Sequence, residues 1–152
     1  MSEDCKIVRA GKEDLQEILE LQHLAYISEA ELFGNYNIQP LTETLEELTA
    51  EFNEGTVLKM TDENGKIIGS VRGREENGTL YIGKLMVHPD HRRKGYGKRL
   101  VICIEECFPG RRYELFTSTR SVNNIRMYES LGYKQFDVRD VDDELKFVYL
   151  EK

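Results

Sequence analysis

The chain has 152 residues, of which 39% are hydrophobic and 32% are charged, and its formal net charge at pH 7 is −7. These values predict one globular domain over residues 1–152. The sequence has no apolar run that could cross a membrane, and its acidic N-terminus is unlike a secretory signal. We therefore expect a cytoplasmic protein with no membrane partner. Residues 1–60 hold thirteen acidic and four basic residues, which argues against a nucleic-acid partner and suits a cationic amine.

The first half of the chain begins with a strand signal and a helix signal. Residues 6–10 predict a strand and residues 14–26 a helix, whereas residues 27–41 lack a clear period and are expected to be part helix and part loop. Thr44 and Glu47 have the spacing of a capping box, which predicts a second helix. Three strands joined by tight turns are expected next, over residues 57–60, 66–74 and 79–87.

Residues 85–97 are the stretch around which the rest is organised, because they combine the end of a strand, a basic loop and the start of a helix. Pro89 cannot donate to a strand ladder and so ends the strand. Glycines let backbone N–H groups approach a ligand closely, at a helix N-terminus that favours anions. A phosphate-binding site is therefore predicted, with its cations and glycines at Arg92, Arg93, Lys94, Gly95 and Gly97.

The remaining elements complete the predicted fold. An apolar stripe from Leu100 to Phe108 indicates a helix with one buried face, and Cys103 and Cys107 lie on that stripe and are interpreted as core residues. The order of elements predicts an α/β (α+β) fold: a mixed, mostly antiparallel central sheet of about seven strands with helices on both faces. Its later elements are a strand over residues 113–117, a helix over 121–131, and strands over 133–136 and 145–150.

Two motifs resemble those of the GCN5-related N-acetyltransferase (GNAT) superfamily. Arg92-x-x-Gly95-x-Gly97, directly after an apolar strand, resembles its acetyl-CoA-binding motif. Residues 124–133 resemble its closing motif, in which a helix carries a tyrosine and ends in Gly-Tyr. The resemblance implies that acetyl-CoA is the cofactor and acetyl donor, and no metal cluster is visible in the sequence. The implied contacts to its pantetheine arm and pyrophosphate are Leu85, Met86, Val87, Arg92, Arg93, Lys94, Gly95, Tyr96, Gly97 and Lys98.

One position departs from the family pattern. Many members carry asparagine seven residues before the tyrosine, where this chain has Ser121. A polar contact to the pantetheine arm is still expected, and Ser121, Asn123 and Asn124 are the alternatives for it.

The resemblance implies direct transfer of the acetyl group to a primary amine of a small molecule or peptide. Tyr128 is the expected general acid, since a tyrosine with an ordinary pKa of about 10 is protonated at neutral pH. Several relatives carry a glutamate base on the central strand, where this chain has Gly83 and Lys84. We therefore predict Glu31 as the base, with Glu29 and His88 as alternatives.

Two further questions stay open at this stage. The alternative function is a non-catalytic acyl-CoA-binding module that senses the cofactor and regulates a partner. The residues that select the acceptor amine are predicted to lie within residues 29–41, which are rich in aromatic and acidic side chains, and a homodimer could complete that site.

Overall fold

The computed structural model describes residues 6–34 and 36–152, apart from the side chains of Glu29, Leu32 and Phe33. The strands are β1 (Lys6–Arg9), β2 (Thr56–Thr61), β3 (Ile67–Glu76), β4 (Thr79–Val87), β5 (Arg112–Ser118), β6 (Lys134–Asp140) and β7 (Lys146–Glu151). The α-helices are α1 (Leu15–Phe33), α2 (Gln39–Thr42), α3 (Leu45–Glu54), α4 (Tyr96–Glu106) and α5 (Val122–Ser130).

The strands of the described residues form one sheet in the order β1-β2-β3-β4-β5-β7-β6. Neighbouring strands are antiparallel except β4 and β5, which are parallel. The predicted mixed, mostly antiparallel sheet of about seven strands is therefore confirmed.

Helices cover both faces of the sheet, and adjacent strand residues belong to different hydrophobic clusters as a result. Val57 and Ile67 pack with residues of α1 and α3, whereas their neighbours Leu58 and Ile68 pack with residues of α4 and α5. Side chains on a strand alternate between the two faces, so α1 and α3 lie on one face and α4 and α5 on the other. The predicted helices on both faces are confirmed.

Local signals in the sequence correctly located the second helix and the turns. The Glu47 backbone N–H donates to Thr44 Oγ1 at 3.1 Å, and the Thr44 N–H donates to Glu47 Oε1 at 2.8 Å, which is the predicted capping box at the start of α3. Asn77 and Gly78 both have positive φ values, 53° and 84°, as a tight turn between two strands requires.

Residues 27–41 are part helix and part loop, as predicted, but two predicted element ends differ from the structure. The first helix does not stop near Tyr26 but continues to Phe33, where Gly34 in the left-handed conformation (φ +68°) ends it. Good helix formers such as Ala30 and Glu31 extend the helix although the apolar period is lost there. Strand β6 runs to Asp140 rather than Phe136, because the neighbouring strand β7 provides ladder partners as far as Lys146.

A buried polar cluster fixes the end of the closing motif. The Tyr133 hydroxyl donates to Glu105 Oε2 at 2.6 Å, and Lys152 Nζ donates to Glu105 Oε1 at 2.9 Å. Tyr133 is 2% exposed, so its hydroxyl depends on this partner.

Replacing Tyr133 with phenylalanine is expected to lower the free energy of unfolding by about 1–3 kcal/mol, because a buried oxygen of Glu105 loses its hydrogen bond. Urea denaturation measures the difference. Tyr36→Phe is the control, since Tyr36 is 55% exposed and its replacement should change stability by less than about 0.5 kcal/mol. Equal stability of both variants would mean that the Tyr133–Glu105 bond contributes nothing.

Candidate active site

The sheet opens between β4 and β5. The two strands pair only near their N-terminal ends, where residues 79–81 face residues 112–114. Beyond Tyr81 and Glu114 they no longer pair, although β4 continues to Val87 and β5 to Ser118. Backbone N–H and C=O groups on that edge of β4 are therefore available to a ligand that lies along it like an added strand.

A β-bulge interrupts β4 at this opening. One residue separates Ser70 from Arg72 on β3, whereas β4 places two residues, Lys84 and Leu85, opposite it. Lys84 has φ +50°, which is uncommon for a residue with a side chain and is typical of bulges and functional sites. The Tyr26 hydroxyl on α1 donates to the Leu85 carbonyl at 2.9 Å and so holds the bulge from the α1 side.

A cavity of about 1300 Å³ follows the opening and reaches both faces of the sheet. On one face its wall includes Tyr26, Glu51 and Arg72, and on the other it includes Tyr96 and Tyr128. A single space therefore joins the α1 and α3 side of the sheet to the α4 and α5 side, as a reaction between two ligands would need.

The glycine loop leaves space for a ligand at the start of α4. Gly95 caps the helix in the left-handed conformation (φ +79°), and the first backbone N–H groups of a helix lack partners within it. A Cβ atom at Gly95 would meet nothing within 4 Å, and one at Gly97 would meet only Met127 Cε at 3.6 Å and Leu85 Cδ2 at 3.8 Å. Protein packing does not require either glycine, so the space beside them suits close approach of a phosphate group.

The structure brings the predicted cofactor residues together with one exception, Lys94, which is exposed and does not line the cavity. Arg92 also contacts helix α1, where its Nη2 donates to the Ala25 carbonyl at 2.9 Å and to Ser28 Oγ at 3.2 Å. Asn123, the third alternative for the pantetheine contact, lines the cavity beside Ser121 and Asn124. The predicted residues that line the cavity are Leu85, Met86, Val87, Arg92, Arg93, Gly95, Tyr96, Gly97, Lys98, Ser121 and Asn124.

Tyr128 lies near the end of α5, is 5% exposed and lines the cavity. The centre of its ring is 6.1 Å from that of Tyr133, which is not among the lining residues. Burial, together with the hydrogen bond to Glu105, raises the pKa of the Tyr133 hydroxyl well above its usual range. Of these two tyrosines, Tyr128 is the one in contact with the cavity.

Two of the predicted proton acceptors, Glu31 and His88, do not line the cavity. Glu31 is exposed on α1 and does not line the cavity, and the side chain of Glu29 lies outside the described residues. His88 does not line the cavity either, and its Nδ1 accepts a hydrogen bond from the Asp90 backbone N–H at 3.0 Å. The role of Glu31 stays a prediction. Of the predicted acceptor segment, residues 37–40 line the cavity and Asn35 lies outside the described residues.

A buried charged network beside the opening was missed by the sequence analysis. Arg72 Nη1 donates to Glu43 Oε1 at 3.0 Å and to Glu51 Oε2 at 3.1 Å, and its Nη2 donates to the Gln22 side-chain oxygen. The Gln22 amide donates to Glu43 Oε1 at 2.8 Å. One signal could have found it: Arg72 follows a run of apolar and small residues on a central strand, and a buried charge needs partners.

The network changes the titration of two of its members. Burial alone would raise the pKa of the Glu43 carboxyl, but the hydrogen bond from Gln22 and the charge of Arg72 bring that pKa below its usual value. Lys84 Nζ lies 3.6 Å from Glu43 Oε1 and 3.8 Å from Glu51 Oε1. Burial lowers the pKa of the Lys84 ammonium, and the Glu43 charge opposes this only in part.

Metal and thiol chemistry have no evident centre in the part of the chain that is described. In that part, no three His, Cys, Asp or Glu side chains are grouped so that they could hold a metal ion. None of its helices has both the length and the apolar character to span a membrane. Cys103 and Cys107 are half-buried against the core and do not line the cavity. Burial raises the pKa of the Cys103 thiol, which disfavours the reactive thiolate.

Most of this chain matches the model of a known protein family. Residues 15–133 match the model of the acetyltransferase (GNAT) family. The chain therefore belongs to the GNAT family of acetyltransferases, which confirms the resemblance of its two motifs.

The chain is also similar in sequence to one curated relative, and it shares its fold with two solved structures. It is 30% identical over 121 residues to UPF0157 protein YqkA of Bacillus subtilis (strain 168); the match covers 79% of this chain and 34% of that protein, so the chain spans about a third of its length. The ribosomal-protein-S18-alanine N-acetyltransferase of Escherichia coli has a TM-score of 0.79 at 16% identity, over 97% of this chain and 92% of that chain. The PaiA N-acetyltransferase of Thermoplasma acidophilum, solved in complex with coenzyme A, has a TM-score of 0.78 at 16% identity, over 97% and 99%.

Proposed function

We propose that this protein transfers the acetyl group of acetyl-CoA directly to a primary amine of a small molecule or peptide. The observation that carries the proposal is the opening between β4 and β5, which joins an unpaired strand edge, a glycine loop at a helix N-terminus and the buried Tyr128 in one cavity. The coenzyme A complex of the similar PaiA enzyme supports the choice of cofactor.

The residues present fit acetyl-CoA. The open space beside Gly95 and Gly97 and the N–H groups at the start of α4 would bind its pyrophosphate, together with the cavity-lining cations Arg93 and Lys98. The unpaired edge of β4 at residues 85–87 would bind its pantetheine arm through backbone hydrogen bonds. Charge-assisted hydrogen bonds to the pyrophosphate would contribute about 1.5–3 kcal/mol each.

When bound, acetyl-CoA supplies a thioester that an amine nitrogen can attack, forming an amide and releasing a thiol. A backbone N–H of β4 would stabilise the negative charge on the carbonyl oxygen, and the Tyr128 hydroxyl would donate its proton to the departing sulfur. Direct transfer needs no enzyme thiol, in keeping with the positions of Cys103 and Cys107 outside the cavity wall.

The test uses the full chain with acetyl-CoA and a panel of amines, amino acids and peptides with free N-termini. Amine-dependent release of free thiol, with an acetylated product seen by mass spectrometry, is the expected result. Binding of acetyl-CoA without thiol release for any member would overturn the proposal in favour of the acyl-CoA-binding module. Gly83 has no side chain at a position where several relatives carry a glutamate base, and that observation keeps this alternative in view.

The amine must also lose a proton, and we propose Glu31 as the acceptor, acting through an intervening water because it does not line the cavity. Glu31→Gln is expected to raise the acceptor KM or lower kcat, while the affinity for acetyl-CoA stays unchanged. Steady-state acceptor kinetics and a cofactor titration on the same variant measure both.

Glu20→Gln is the matched control for this experiment, since Glu20 is an exposed carboxylate on the same helix and does not line the cavity. If Glu31→Gln behaves like Glu20→Gln, Glu31 is a solvated surface residue and another group accepts the proton.

A further inference from the structure

The sheet face beside Gly83 is open to a ligand. Gly83 lies on β4 opposite Arg72, and a Cβ atom built on it would meet no atom within 4 Å. Its neighbours Tyr81 and Lys84 both line the cavity. The space above Gly83 therefore continues the cavity on the α1 and α3 side of the sheet, next to the strand edge that would hold the acetyl donor.

One positively charged side chain beside this space has no direct hydrogen bond to the protein. Lys84 lines the cavity with 17% of its side chain exposed, and its ion pairs with Glu43 and Glu51, at 3.6 and 3.8 Å, are longer than hydrogen bonds. Buried donors are normally satisfied, and a carboxylate is the ligand group that satisfies charged donors best.

The same region also offers a negative group. Glu51 is fixed by Arg72 at 3.1 Å, yet 41% of its side chain is exposed, and it lines the cavity. A ligand beside Gly83 therefore meets an ammonium and a carboxylate next to each other. A molecule with both charges complements this pair, whereas a simple amine would bind only the carboxylate.

We propose that the acceptor is a primary amine that also carries a carboxylate, as a free amino acid does, with the carboxylate bound by Lys84 and the amine on the Glu51 side. This inference rests on the proposed acetyl transfer and names the class of acceptor for it. It narrows the expectation from the acidic first half of the chain, which favoured a cationic amine.

The test compares pairs of substrates that differ only in a carboxylate: each common amino acid with a primary amine is assayed beside its decarboxylated amine. For the wild type, kcat/KM should favour the amino acid by about 10- to 100-fold, the range of one charge-assisted hydrogen bond. Lys84→Met should remove that preference through the KM of the amino acid, and Lys84→Arg should retain most of it. Lys134→Met, at an exposed lysine on β6, is the matched control and should keep the full preference.

The ratio within one variant does not depend on the fraction of folded protein, so it stays meaningful if Lys84→Met is less stable. Equal or better acetylation of the amines by the wild type would overturn this inference and leave the proposed acetyl transfer intact. The same holds if Lys84→Met slows both members of each pair equally, since Lys84 would then not recognise the carboxylate. If no amine of any kind is acetylated, the proposed function fails and this inference fails with it.

Discussion

Tyr128→Phe is expected to lower kcat by about 10²-fold or more, which is the usual effect of losing a general acid. The affinity for acetyl-CoA should stay unchanged. The ring of Tyr128 is almost fully buried, and phenylalanine keeps its packing while removing the proton that the departing thiolate needs. Single-turnover kinetics measure the effect, because they report the chemical step even when product release limits the steady-state rate.

Tyr133→Phe is the matched control for that measurement. Tyr133 is also a buried tyrosine of the closing motif, but its hydroxyl is bonded to Glu105 and it does not line the cavity. Its replacement should lower stability and leave the single-turnover rate unchanged. A Tyr128→Phe enzyme that reacts at the wild-type rate would show that Tyr128 only packs at the end of α5.

The parts of the fold that could be predicted are those with a cause in a few neighbouring residues. The Thr44 and Glu47 capping box and the turn at Asn77 and Gly78 each depend on side-chain chemistry or backbone freedom within four residues. The length of α1 could not be predicted so well, because its second half has no regular apolar period and ends only at Gly34. The bulge at Lys84 gave no local signal, since it arises from the register between β3 and β4.

The same distinction separates the two halves of the candidate site. The half predicted to bind the cofactor is contiguous, from the edge of β4 through the glycine loop, so its residues could be predicted from a motif. The other half depends on contacts between distant parts of the chain: Arg72 meets Gln22, Glu43 and Glu51, which lie 50, 29 and 21 residues away in sequence. Such contacts require the strand register and helix packing, which one sequence does not specify.

Helix α1 connects the two halves physically. Tyr26 donates to the Leu85 carbonyl at the bulge, and Arg92, just before the glycine loop, donates to the Ala25 carbonyl of the same helix. Gln22, one turn earlier on α1, belongs to the charged network. A shift of α1 would therefore disturb both the strand edge and the charged network, which explains why changes on this helix need both a cofactor titration and acceptor kinetics.

Gly97→Asp is expected to abolish the stabilisation by acetyl-CoA. A ligand that binds only the folded state at 100 times its Kd raises the unfolding free energy by about 2.7 kcal/mol, or about 5–10 °C in Tm for a chain of this size. A carboxylate at residue 97 would repel the pyrophosphate and occupy the space beside the first N–H groups of α4. Thermal unfolding with and without acetyl-CoA measures the loss.

Gly97→Ala tests the effect of one uncharged methyl group at the same position. Its Cβ atom would make only ordinary contacts with Met127 and Leu85, so the fold without ligand should be as stable as the wild type or slightly more stable, because alanine favours a helix. Any loss of the shift in this variant measures steric exclusion by a methyl group, and the further loss in Gly97→Asp measures the bulk and the charge of the carboxylate together. A wild-type shift in Gly97→Asp would mean that the pyrophosphate does not bind at the glycine loop, and the cofactor site would have to lie elsewhere.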